Sequence, residues 1–409
     1  MAYNKKLLFP SEAPAWITEA GFLGELFQDE NPISNINLSA AEFFNSIITY
    51  SITSGSLPTG LSLDGSTGVI SGTISGYVDV RDFEFSVTAE DDDNQTTTRD
   101  FSLKVTPYVP VSYLAVAGGG AGGNGMGGGG GGGGLVTNYQ GNDLFLPPGA
   151  TNTIIIGAGG AGTTNDVRVN GGDTVFFGIT AIGGGGGSSL QMQRRINLLD
   201  GADGGSGGGS GAGDLGTGYG GQGLQPSSAS GGFGNPGGNQ TSASGNYPCG
   251  GGGGAGSPGG AGISESQSVG GAGGNGLQVN IDGNNYYWAG GGGGCGYSSA
   301  KGGPGGIGGG GGGGGTSTSG GAGGASALNT GFSGGAGADT NGGNAGANTG
   351  SGGGGASWAT GRGGNGASGV LILRVPASRY TGLTTGQPQV SAEGLDVVLT
   401  YTGSGTYTS

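Results

Sequence analysis

Eight consecutive glycines at Gly127–Gly134, and eight more at Gly308–Gly315, constrain this chain more than any other feature. Shorter runs follow the same habit at Gly183–Gly187, Gly250–Gly254 and Gly290–Gly294. Such a run has no side chain to bury. Its backbone also loses about 1–2 kcal/mol of conformational freedom per residue when fixed, and glycine has the most freedom to lose. The default for such a chain is a flexible linker. It orders only if backbone hydrogen bonds between segments offset the entropy. Polyproline-II geometry, with three residues per turn and no internal hydrogen bonds, turns every N–H and C=O outward. Without Cβ atoms, neighbouring helices of this kind can approach until those groups pair, as buried backbone must. Eight residues at about 3.1 Å each span roughly 25 Å. The sequence therefore predicts a block of packed polyglycine-II helices, with the inserts between runs forming loops at its two ends.

Two rival readings of the glycine fail. Collagen needs a strict Gly-X-Y period and abundant proline, whereas these glycines are consecutive and Pro totals 15. Tyr113–Ala117 followed by Gly118, Gly120 and Gly123 imitates a dinucleotide-binding fingerprint, but that motif must open a helix. Glycine cannot make one here.

Of the 409 residues, 114 are Gly, sparse before Tyr108 and dense from Gly118 to Gly369. This divides the chain into an N-terminal arm (1–13), a conventional domain (14–107), the glycine-rich domain (108–376) and a C-terminal β segment (377–409). The formal net charge of −14 leaves no basic footprint for nucleic acid and disfavours anionic membranes. No run of about 18 apolar residues is present to span a bilayer as a helix. The apolar run Leu7–Phe9 is too short for a signal-peptide core, so assembly in a cytoplasm is expected. Cys249 and Cys295 both sit beside glycine runs and could lie close together; the plain reading is two free thiols.

Within 14–107, Ile48, Tyr50 and Ile52 alternate with polar neighbours, as do Phe83, Phe85 and Val87, and then Phe101, Leu103 and Val105. Leu57–Leu61, Asp64–Gly65 and Thr67–Gly68 supply turn chemistry between them. Short strands with regular turns predict a β-sandwich. The stretch Leu57–Thr73, an LP-x-GLSLD-x-STG-x-ISGT pattern, resembles the immunoglobulin-like, cadherin-like domain of bacterial surface and phage tail proteins. Pro14–Thr18 and Gly21–Gly24 look like its first strand. That resemblance implies a spacer or stalk, sometimes a weak binder, and no catalysis. Glu90–Asn94 gathers oxygen ligands that could attract Ca²⁺, but one loop supplies too few spaced ligands for a metal site, so it reads as a solvated turn.

In the glycine-rich domain, strands are predicted at Val111–Ala117, Thr151–Ile156, Thr174–Ile182 and Val370–Val375. A hairpin turning at Asp282–Gly283 is predicted within Leu277–Ala289. Ser112–Gly123, Asn152–Gly162, Tyr286–Gly294 and Gly363–Pro376 together resemble the glycine-rich tail-fibre domain of phages. The design is also similar to tail-tip adhesins of T-even-like phages. The resemblance implies a virion tail protein that attaches to a host. Its partners would be a host surface glycan or outer-membrane protein and other phage tail proteins, with a homotrimer or a trimeric fibre as the setting.

If so, recognition falls to side chains on the loops. Tyr and Trp offer large contact area with few rotamers to freeze, and stack on sugar rings. The candidates are Tyr219, Phe233, Tyr247, Tyr297, Phe332 and Trp358, each of which could instead merely cover the edge of the block. Arg194 and Arg195, beside Gln191 and Gln193, form the one basic loop of note and could meet acidic sugars or phosphates; the alternative is a solvated loop. Tyr286, Tyr287 and Trp288 read as scaffold. No cofactor or metal is indicated. With no His and few carboxylates after Val105, acid–base catalysis lacks players; the nearest pair, Asp200 and Asp203, reads as part of a flexible glycine-flanked loop. A purely architectural virion part is the competing reading, and an ice-binding bundle is disfavoured by the aromatic loops.

Overall fold

The computed structural model describes residues 12–28, 32–41, 47–77, 80–165, 167–189, 199–213, 217–240, 247–263, 268–316, 319–358 and 360–409. It is built of β-strands and extended segments, with no α-helix among the described residues. Two compact units are present, one of residues 1–109 with 145–149 and one of 110–144 with 150–409.

The first unit is a sandwich of short sheets. Gly21–Gln28, Thr96–Pro107, Arg81–Glu90 and Thr49–Gly55 lie side by side in that order, and Ile36–Asn37, Val69–Gly72 and Leu61–Leu63 form a second sheet. Phe85, Val87, Phe101 and Leu103 bury their side chains with Leu38 and Ile70 in one core. This is the alternation that a pleated strand with one wet face requires. Trp16 closes the core edge-on to Phe101, with ring centroids 5.4 Å apart. The Leu57–Thr73 motif owes its shape to Asp64, whose Oδ1 accepts the Ser66 hydroxyl (2.7 Å), the Ser66 amide (2.9 Å) and the Thr67 amide (3.0 Å). Gly68 follows at φ +71°, where a Cβ would collide with the Leu38 carbonyl. In the acidic loop, Asp91 Oδ1 accepts the amides of Asp93 and Gln95 at 2.9 and 2.8 Å, so that carboxylate holds the turn itself.

In the second unit, Val370–Pro376 lies between Val109–Val116 and Asp396–Tyr401, and Gln389–Glu393 forms one edge of that sheet. A second sheet runs Ile179–Ala181, Thr174–Phe176, Thr151–Ile155, Gly405–Thr408 and Thr384–Thr385. Residues beyond 377 therefore complete both sheets. Leu114, Val116, Val370, Ile372 and Val398 of the first of these sheets form one core with Ala255, Ile281 and Trp288.

Two local expectations need correction. Thr174–Ile182 is a hairpin rather than one strand, because Phe177 and Gly178 both take positive φ (45° and 77°) and turn the chain. The Leu277–Trp288 hairpin pairs Leu277 with Trp288 and Gln278 with Tyr287, so its loop is longer than a two-residue Asp–Gly turn. Ile281 is fully buried and pulls that loop down onto the core.

The glycine segments follow a hydrogen-bond rule of their own. Along 127–134, the amides of Gly127, Gly130 and Gly133 donate to Ala356, Gly353 and Gly350. Those of Gly128, Gly131 and Gly134 donate to Ser188, Gly185 and Ile182, and those of Gly129 and Gly132 to Gly250 and Gly253, all at 2.7–3.0 Å. The carbonyls repeat the pattern toward 117–123, 206–212 and 289–296. Each segment thus turns to a new neighbour at every residue and returns to the first after three. Segments 247–254, 289–296 and 350–356 are surrounded in the same way. A Cβ at Gly130 would run into the Gly120 carbonyl, and one at Gly292 into that of Gly353, so these positions must be glycine.

At the perimeter a segment lacks some neighbours, and side chains take their place. Every third residue faces out, as Asn341 and Asn344 do. Their Oδ1 atoms accept the amides of Arg362 (2.6 Å) and Asn365 (2.8 Å). Asn239 does the same for Gly220, Asn170 for Gly186 and Asp173 for Gly183, at 2.8–2.9 Å. Small outward Asn and Asp residues therefore satisfy donors that would otherwise be left to water.

Candidate binding site

The interior segments meet the β-sheets at one end and turn back at the other. Segment 127–134 starts from a turn at Met126, 247–254 starts at Tyr247, 289–296 ends at Tyr297, and 350–356 ends near Trp358. Because these segments are mutual neighbours, their turns converge. Tyr297 stacks on Trp358 with ring centroids 5.1 Å apart and planes inclined by 16°. Its other contact is Tyr247, at 5.9 Å and 50°. The arrangement is a short aromatic column with Tyr297 in the middle.

Local backbone fixes the column. The Ala300 amide donates to the Tyr297 carbonyl at 3.1 Å, and the Gly361 amide to that of Trp358 at 2.8 Å, so each aromatic opens a tight turn. Ser298 takes φ +59° and Tyr247 φ +38°, a region that costs a non-glycine residue energy and persists only where the surroundings enforce it. Beneath lie Cys249 and Cys295, both fully buried with Ala212, while Met126 and Tyr247 pack over them. The Cys249 amide donates to the Cys295 carbonyl at 3.0 Å, and both thiols are free. Burial, reinforced by the neighbouring Cys295 thiol, holds the Cys249 thiol well above its ordinary pKa. It is an inert packing group.

Three of the aromatic candidates are thus brought together, and three are not. Tyr219 is 60% exposed on a perimeter segment, its amide donated to Asp200 Oδ1 at 2.7 Å. Phe332 is 62% exposed on another, where its amide donates to the Asn344 carbonyl. Phe233 lies at the sheet end, bridged to Leu135. Arg194 and Arg195, with Gln191 and Gln193, fall outside the described residues. Trp288 is buried, its Nε1 donating to the Val279 carbonyl at 3.1 Å, and serves as scaffold.

Asp200 and Asp203 are corrected from a flexible loop to perimeter positions. They accept the amides of Tyr219 and Gln222 at 2.7 and 2.6 Å, the same bridging done by Asn341 and Asn344. The role of these residues escaped the sequence reading, although the three-residue spacing of Asp200–Asp203 and Asn341–Asn344 carries it. The cysteine layer was missed as support for the site; its signal was the mirrored pair Tyr247-x-Cys249 and Cys295-x-Tyr297.

What this arrangement can do is present flat aromatic surface. Among the described residues no group of three or more His, Cys, Asp or Glu is placed to hold a metal.

Residues 28–106 match the family described as "Putative Ig domain", and residues 96–339 the family described as "Glycine-rich domain". No curated protein matches the chain at a significant level. Among solved structures, the chain is similar to extracellular cadherin domains 1–4 of protocadherin gamma B7, at 19% identity over 25% of this chain and 27% of that one, with a TM-score of 0.21. It is similar to Drosophila N-cadherin EC1-4 at 18% identity over 24% and 25%, TM-score 0.21. The human desmocollin-1 ectodomain matches at 14% identity over 25% and 22%, TM-score 0.20. The chain spans about a quarter of the length of these solved chains.

Proposed function

The chain belongs to the glycine-rich domain family, which matches more than half of its length, and on that footing we propose that it is a bacteriophage tail-fibre or tail-tip protein acting as a receptor-binding adhesin. In this reading its scaffold is a bundle of packed polyglycine-II helices. The three-residue hydrogen-bond period supports that geometry, which has three residues per turn. The observation that carries the functional reading is the meeting of Tyr247, Tyr297 and Trp358 at the turns of three different interior segments. Only small side chains fit inside the block, so specificity has to reside on its loops and rim. Loops on a rigid stage are the usual home of recognition, and Tyr and Trp are its economical contact residues. The partner is a host surface glycan or outer-membrane protein, and the protein's place is the virion tail.

A purely architectural virion role is the second reading. It is favoured by the open sheet edge Gln389–Glu393, all of whose residues are exposed, since such an edge can pair with a strand of another chain.

The test is binding of the fluorescently labelled full chain to a panel of bacterial strains, alongside a Tyr297→Ala/Trp358→Ala variant. Saturable binding to some strains that the variant loses supports the adhesin. A folded protein that binds no strain turns the case to the architectural role.

A further inference from the structure

Resting on the adhesin reading, we infer that the exposed face of Trp358, backed by Tyr297, is a stacking subsite for a single uncharged pyranose ring of a cell-surface glycan. The column has a definite order. Tyr247 packs down on the cysteine layer, Tyr297 lies between two rings, and Trp358 remains as the outer ring, 44% exposed. Of the chain's other tryptophans Trp16 is half-buried and Trp288 buried, and both donate their indole N–H to a backbone carbonyl, Trp16 to Thr97 and Trp288 to Val279. Trp358 is thus the tryptophan offered to solvent, at the end of the block where the interior segments turn.

The chemistry around it selects the ligand. A pyranose presents a flat C–H face that stacks on an aromatic ring, with hydroxyls around its edge that need polar neighbours. The turns that carry the column present Ser298 and Ser299 beside Tyr297 and Thr360 beyond Trp358, all three exposed. They hold hydroxyl-bearing and small residues, whereas an aliphatic peptide side chain would need Leu, Ile or Val walls to enclose it. Thr316 Oγ1 donates to the Ser298 carbonyl at 2.9 Å, which ties one turn to the next loop and keeps the platform in place before the ligand arrives. Such preorganisation lowers the entropic cost of binding. Residues 108–409 carry 11 acidic against 7 basic residues, so the domain that holds the site offers no cationic field to draw an anionic saccharide. Arg362, four residues past Trp358, is turned onto the Gly162 carbonyl and Asn365 Oδ1.

The experiment is saturation-transfer NMR of the full chain with methyl glucosides, galactosides, mannosides and N-acetylhexosaminides. Saturable transfer to ring C–H protons of at least one sugar is expected. Its affinity should fall about ten-fold or more in Trp358→Ala and be largely kept in Trp358→Phe, which preserves the stack if the alanine variant loosens the turn. No transfer to any of these sugars, or equal affinity in Trp358→Ala, overturns the subsite. Uncharged capsular polysaccharide and lipopolysaccharide, used as competitors, then show which of the two carries the ring. Whole-cell binding separates this inference from its premise. Cells bound equally by the parent and Trp358→Ala remove the subsite and leave the adhesin. Sugar binding through Trp358 with no strain bound leaves the subsite and removes the adhesin.

Discussion

Asn341 Oδ1 accepts the backbone amide of Arg362 at 2.6 Å, and three residues further on Asn344 does the same for Asn365 at 2.8 Å. The two side chains stand in for a missing neighbour at the edge of the glycine block. Asn344→Ala should cost about 0.5–1.5 kcal/mol, the net worth of one hydrogen bond where water can partly replace it. Asn344→Asp keeps the acceptor and should cost less. Denaturant melts of the full chain check both.

Inside the block no substitute is available. Gly130→Ala drives its new methyl group into the Gly120 carbonyl. The loss should reach about 3 kcal/mol or more, the upper range for overpacking, and show as a depressed melting temperature or loss of folded protein. Gly403→Ala, where nothing lies within 4 Å, should stay within about 0.5 kcal/mol of the parent. Equal damage at both positions would contradict the packing described.

The turn at Asp64 sets an acid response. The Ser66 hydroxyl, then the Ser66 and Thr67 amides, hold its carboxyl down at about 2 from an ordinary 3.8. A depressed folded value contributes stability that is complete above the unfolded value and is lost as pH falls. The window is therefore roughly pH 4 down to 2. NMR titration of the Asp64 carboxyl should give a midpoint near 2, and Asp64→Ala should flatten that part of the stability profile.

The alkaline limb belongs to the C-terminal strands. Burial pushes the Tyr407 phenol up to about 12 from 10.0, and raises Tyr401 as well. Tyr401 also donates its hydroxyl to the Thr406 carbonyl at 3.0 Å. Raised folded values give stability that is complete below the ordinary phenol value and is lost as pH climbs through the folded one. Melting temperature should fall above about pH 10, and ultraviolet difference absorbance should show these two tyrosines ionising together with unfolding. Their titration in a protein that stays folded would contradict this.

Cys249 and Cys295 should ignore a maleimide in the native protein and both react once it is denatured. Burial removes access and disfavours the Cys249 thiolate. Native-state labelling, read by mass spectrometry, would show that the layer under the aromatic column is loose.

How much of this was legible beforehand depends on what carries the information. The alternation of Phe83, Phe85 and Val87 and the Leu57–Thr73 motif announced the first unit, because side-chain period and turn chemistry are written in residue types. The glycine runs announced that some backbone-only packing was needed. They could not say which segments adjoin, since a residue without a side chain has no pattern to match to a partner. Asp200 and Asp203 were misjudged for a related reason. A carboxylate that accepts an amide from nineteen residues away looks, in sequence, like any acidic residue in a loop. Tyr247, Tyr297 and Trp358 were recognisable singly, but their meeting depends on segment order, as does the isolation of Tyr219, Phe233 and Phe332.

The three-residue repeat also dictates how such a chain can change length. Adding one glycine inside a segment rotates everything beyond it by a third of a turn, so an outward Asn is redirected into a neighbour and an interior glycine is replaced by a residue that cannot fit. Three added residues restore the facing and merely lengthen the rod. Insertions of any size at the turns disturb neither. A lineage built on this block can therefore rewrite its loops freely while its rods grow or shrink only in threes. Variation is channelled to the turns, Trp358's among them, by the arithmetic of the backbone alone.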